Sequence, residues 1–187
     1  MSYIAHRVVR QHGFLVAFVC AAVVLAVLVV QTLVGFLISE LSNLGSGPNY
    51  SVPWWSYYAP QLGTVLLPFA VGVLLSLWFI APVAAELHVA HVITRSVLAA
   101  AVGGVLAVLV TIVASLIGLL SGGLMANLLA TRFSGETMLS ILGSAVGAGG
   151  QEFVSSTPVV ILAGILLWIW LERHPSKHPV SGIVDQA

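Results

Sequence analysis

The 187-residue chain is 59% hydrophobic and 6% charged, with a mean hydropathy of +1.10, whereas a water-soluble domain carries about a quarter charged residues. That composition cannot cover a soluble surface. Six Lys plus Arg against six Asp plus Glu leave no basic excess for nucleic acid and no acidic tail, and a single cysteine excludes an internal disulfide.

Uncharged stretches long enough to cross about 30 Å of hydrocarbon occur four times, over 14–38, 62–85, 97–125 and 153–171. The expected fold class is therefore all-α: a single polytopic membrane domain over 1–187 with four transmembrane helices. The first run, Phe14 to Ile38, follows Arg7 and Arg10 as a signal peptide would, but it is longer than a signal h-region and reads as a retained helix. Cys20 lies inside it, preceded by Ala17, Phe18 and Val19, which are too bulky for a lipoprotein processing site; it reads as a buried small apolar group.

The connection from Ser39 to Gln61 ends in Tyr50, Trp54, Trp55, Tyr57 and Tyr58, set among Pro48, Pro53 and Pro60. Rings with one polar edge favour the headgroup level, so this cluster reads as an anchor; a platform for a lipid, glycan or partner is the sharper alternative. Pro60, Pro68 and Pro82 bracket and interrupt the second span, and Pro158 lies early in the fourth. Proline frees a carbonyl one turn back, which makes Pro68 a candidate hinge beside the plain reading that membrane helices tolerate proline.

On the third span, Gly103, Ala107, Thr111 and Ser115 form one row at four-residue spacing, and Ala114, Gly118 and Gly122 form another. Small rows let helix backbones approach closely in lipid, so this helix is expected to make two contacts. The segment Thr137 to Gly150 has a helical pattern but is too short to cross, and reads as a short re-entrant or interfacial helix between helices 3 and 4, with a plain loop carrying a frayed helix as the alternative. Its expected packing face is Ser140, Gly143, Ser144 and Gly147.

Orientation follows from the cations. Arg7, Arg10, Arg95, Arg173 and Lys177 fall on one side of a four-span topology and Arg132 alone on the other, so both termini are expected to be cytoplasmic, in what reads as a bacterial cytoplasmic membrane. All six histidines, His6, His12, His88, His91, His174 and His178, fall on that same side. His88 and His91 share a helix face, as metal or haem ligation requires; polar flanks of membrane ends and pH sensing are the other readings.

Cutting the spans at charged residues leaves no Asp, Glu, Lys, Arg or His away from a span end, which argues against a small proton-driven exporter. Interior polar groups are then Gln31, Thr32, Thr64, Ser76, Thr111, Ser115 and a few others, expected to bond helix to helix. Glu136 and Glu152 flank the Thr137 to Gly150 segment on the outer side and read as solvated loop ends, with a carboxylate pair acting on an external substrate as the sharper alternative. No Walker A loop, His-Glu-x-x-His, Gly-x-Ser-x-Gly or Cys-x-x-Cys is present, so no enzyme is expected.

Three readings follow. The first is a non-catalytic subunit or accessory factor that contacts lipid and other membrane subunits or itself, and no nucleic acid. The second is a transporter or channel component whose pathway is lined by Gln31, Thr111, Ser115 and the Gly-rich segment before Glu152, with Gly118 and Gly122 as further pathway or packing residues. The third is a metal or haem protein using His88 and His91; no cofactor is otherwise indicated.

Overall fold

A computed structural model describes residues 13–43, 54–80, 88–121 and 135–173. All regular structure among them is helical: α1 (Gly13–Asn43), α2 (54–80), α3 (Val89–Ser121) and α4 (Gly135–Arg173). Each contains a span long and apolar enough to cross a membrane, and in hydrocarbon a helix is the form in which a single segment satisfies its own backbone.

The four helices run antiparallel in sequence. One end of the bundle, here the basal end, carries Phe14, Ile80, Val89 and Arg173; the distal end carries Ser42, Tyr58, Leu119 and Gly135. Helix α3 is the hub, packing about equally on α2 and α4, while α1 lies more lightly across α2 and α4. Packing here is sorted by size. Ala99, Ala100, Gly103, Gly104 and Ala107 of α3 are buried, whereas Val105, Leu109, Val113 and Ile117 of the same helix face outward. Large side chains have nothing to gain by leaving lipid, so small ones take the interior, where backbones meet.

The closest approaches are glycine to glycine. A Cβ on Gly72 would stand 2.6 Å from Gly103 Cα, and one on Gly103 would stand 2.8 Å from the Phe69 carbonyl. The first small row of α3, from Gly103 and Ala107 to Thr111, thus faces α2. The second contact of α3, to α4, uses Val92, Ser96, Gly104 and Val108. Of the expected second row, Gly118 makes no such close approach, since a Cβ there would meet nothing within 4 Å, and Gly122 lies outside the described residues.

Helix α2 is irregular, and one of its irregular turns lies between Pro60 and Pro68. Its α-helical pieces Trp54–Gln61 and Leu67–Leu75 alternate with wider π-helical turns, Leu62–Leu66 and Ser76–Ile80. Pro68 has no N–H to give the Thr64 carbonyl four residues back, and Thr111 Oγ1 donates to that carbonyl from α3 at 3.4 Å. Thr111→Val is therefore expected to cost about 0.6–1 kcal/mol, the usual size of an interhelical hydroxyl bond in membranes. In a Pro68→Ala background, where the backbone can reclaim that carbonyl, the cost should shrink; equal losses in both backgrounds of a denaturation cycle would remove the proposed link.

Aromatic rings mark both ends of the bundle. Phe36 and Tyr58 meet edge to face at 5.3 Å near the distal end, and Phe14 and Trp78 meet at 4.8 Å near the basal end. Tyr58 and Trp78 are 20 residues apart on α2, about 30 Å at helical rise, which matches the hydrocarbon thickness. Tyr50 lies outside the described residues.

The structure corrects the reading of Thr137 to Gly150. The segment is helical, but it is not a separate re-entrant or interfacial element: α4 runs unbroken for 39 residues through it and through Pro158. Its expected packing face is also reversed. Ser140, Gly143, Ser144 and Gly147 are exposed, and Ala145 and Gly149 are buried instead. The physical reason is periodicity. Ala145, Gly149, Ser156, Val160, Ala163 and Gly164 lie on one side of a single helix, and α3 meets that side at Gly149 and again at Gly164.

Candidate polar cleft

The continuity of α4 changes the position of one residue above all. Glu152 is no longer at the end of a span. A Cβ on Gly104 would stand 3.2 Å from Phe153 Cβ and 3.3 Å from the Gly149 carbonyl, so the turn that holds Glu152 is level with Gly104. Gly104 is the middle residue of the 31-residue apolar span Val89–Leu119. Along α4 itself Glu152 is about 26 Å from Gly135 and about 32 Å from Arg173. The expectation that no ionisable residue lies away from a span end is thereby overturned, and with it the argument against a proton-driven exporter.

Glu152 lines a cleft of about 440 Å³ between α1, α2 and α4. Leu28, Gln31 and Thr32 come from α1, Gln61, Val65 and Leu66 from α2, and Ala148, Gln151, Glu152 and Ser155 from α4. Three amides, two hydroxyls and one carboxylate thus meet an apolar wall, and no Lys, Arg or His is among the lining residues. Glu152 is half-buried. Ser156, wholly buried one turn along α4, donates its hydroxyl to Glu152 Oε1. This bond pins the carboxylate by one oxygen and leaves the other for whatever occupies the cleft.

Both lining hydroxyls also turn back on their own helices. Thr32 Oγ1 donates to the Leu28 carbonyl at 2.8 Å and Ser155 Oγ to the Glu152 carbonyl at 3.3 Å. Each keeps its oxygen lone pairs as acceptors. The free amides of Gln31, Gln61 and Gln151, all on exposed residues, supply both donors and acceptors.

A second, more open cleft of about 520 Å³ lies nearer the distal end between α3 and α4, lined by Ser115, Gly118, Leu119, Glu136, Thr137, Ser140 and Ile141. At 100° per residue, Thr137, Ser140, Ile141, Ser144, Ala148, Gln151 and Ser155 share one face of α4. That face carries a polar seam from the distal cleft down to Glu152.

The sequence-predicted residues are distributed over these features rather than gathered at one. Gln31 lines the Glu152 cleft, Ser115 and Gly118 line the distal cleft, and Thr111 bonds to α2. Gln61, Gln151 and Glu152 were missed as a set. His88 and His91 are exposed at the basal end of α3, where the His88 carbonyl accepts from the His91 and Val92 amides at 2.8 and 3.2 Å. Among the described residues no three His, Cys, Asp or Glu side chains cluster as a metal site; His6, His12, His174 and His178 fall outside them.

Comparisons with family models, with curated proteins and with solved structures find no match to this chain.

Proposed function

We propose that this chain is a membrane transport component that admits a small polar solute to the Glu152 cleft from the distal end of the bundle. The observation that carries this reading is a carboxylate midway along a four-helix bundle, facing an open, amide-lined cleft. An ionisable group at that depth is expensive, and retaining one marks a pathway more often than a packing site. The polar seam of α4 supplies the approach. The charge asymmetry of the sequence orients the basal end, with Arg95 and Arg173, toward the cytoplasm, which makes the cleft face outward.

A reconstituted protein tests this directly. Proteoliposomes of the purified chain alone should show uptake of small solutes, measured by swelling with glycerol and urea and by counting labelled methylammonium. Ala148→Phe, which adds bulk to the cleft wall, should abolish that uptake while thermal stability in detergent is kept. If no solute moves and another membrane protein co-purifies with the chain, the role is that of a non-catalytic subunit acting through its outward helix faces, and the transport reading falls.

A further inference from the structure

The lining of the cleft goes further than a generic solute. We infer that the Glu152 cleft binds a small organic cation, an alkylammonium, with Glu152 as its countercharge; the inference rests on the cleft being a solute site.

Three observations converge on this class. First, the carboxylate has no cationic neighbour in the cleft wall and is half-buried, so an arriving positive charge is attracted more strongly than in water. An anion is repelled for the same reason, and a neutral solute leaves the charge uncompensated. Second, the volume of about 440 Å³ exceeds what a bare ion needs. It equals roughly fifteen times the ~30 Å³ share of a liquid water, and falls in the range of small-molecule pockets. Third, the wall is amphipathic: Leu28, Val65, Leu66 and Ala148 offer an apolar surface beside Gln31, Gln61, Gln151 and Glu152. An alkyl chain fits the first set. An ammonium N–H group donates to the carboxylate and to the amide carbonyls of the second. The Ser156 hydroxyl already occupies Oε1, which directs the ammonium to the other oxygen.

The distal cleft does not compete for this role. Its carboxylate, Glu136, is exposed in the first turn of α4, where water and the helix N-terminus both stabilise it.

Equilibrium binding to the full chain in zwitterionic nanodiscs separates the possibilities, using propylammonium, the isosteric neutral propanol and the anion propionate. Propylammonium should bind saturably, with propanol and propionate weaker by about tenfold or more, a difference of one decade in Kd. Glu152→Gln should lose propylammonium binding by a similar factor while its thermal midpoint shows that it is folded. Glu152→Asp, which keeps the charge but shortens its reach, should recover part of the loss. Equal binding of propylammonium and propanol, or an unchanged Glu152→Gln, overturns the inference. Flux of glycerol or urea without any preference for the cation would leave transport standing and remove the cation site. Glu152-dependent binding without flux of any solute would do the reverse.

Discussion

Gly72→Ala will destabilise the bundle, and Gly143→Ala, the same chemical change, will stabilise it. At Gly72 the added methyl would stand 2.6 Å from Gly103 Cα and 2.9 Å from Gly103 N. What it meets is backbone, which has no rotamer to change, so α2 and α3 must separate along the contact that places Phe69 and Thr111. The expected loss is about 2–3 kcal/mol, the upper part of the overpacking range. At Gly143 nothing lies within 4 Å, and replacing a glycine inside a helix gains roughly 0.5–1 kcal/mol from the entropy of the unfolded chain. Denaturation in mild detergent, monitored by helical circular dichroism, reads both signs. A loss at Gly143 equal to that at Gly72 would mean that the Ser140, Gly143, Ser144 and Gly147 face is packed after all.

The second large effect concerns Glu152 and has an unusual direction. Glu152→Gln should fold at least as well as the native chain, with a gain of about 1–2 kcal/mol. A carboxylate fully exposed to the centre of a bilayer costs about 2.5–3.5 kcal/mol on insertion scales. The cost is smaller here because the cleft is open and Ser156 donates to the carboxylate. Glutamine keeps an acceptor for Ser156 and discards the charge. A residue that weakens the fold while serving no packing purpose is what a functional site looks like energetically. Thermal midpoints of both proteins in the same detergent, without added amine, check this. A fall of more than about 1 kcal/mol for Glu152→Gln would recast the carboxylate as a structural group and undercut the cleft as a site.

The two effects are linked through α3. Gly103 and Gly104 are adjacent and face different partners, Gly103 toward Phe69 of α2 and Gly104 toward Gly149 and Phe153 of α4. Two side-chain-free positions in succession let three helices converge at one level. Glu152 emerges at that level, at the edge of the α3–α4 contact, facing α1 and α2. Substituting either glycine should therefore disturb the cleft, although neither lines it.

Composition and apolar run length alone determined that four helices of membrane-spanning length exist and approximately where, because a helix that must satisfy its backbone in lipid announces itself as an uninterrupted apolar stretch. The same signal misplaced α4, because a search for uncharged runs treats a charge as a boundary. Glu152 stands inside a helix whose buried positions, Ala145, Gly149, Ser156 and Val160, keep their period straight across it; that period was legible and would have placed the glutamate mid-helix. The small row from Gly103 to Thr111 was readable as a contact, but its partner was not: whether it met α2, α4 or another chain depends on how the helices are arranged, and small residues look alike from either side. The cleft itself was out of reach. Gln31, Gln61 and Gln151 are single glutamines, each on a different helix, and no spacing relates them. Only the packing of α1 and α2 against the middle of α4 brings them around Glu152 and makes the charge accessible instead of buried, and on that arrangement the functional reading rests.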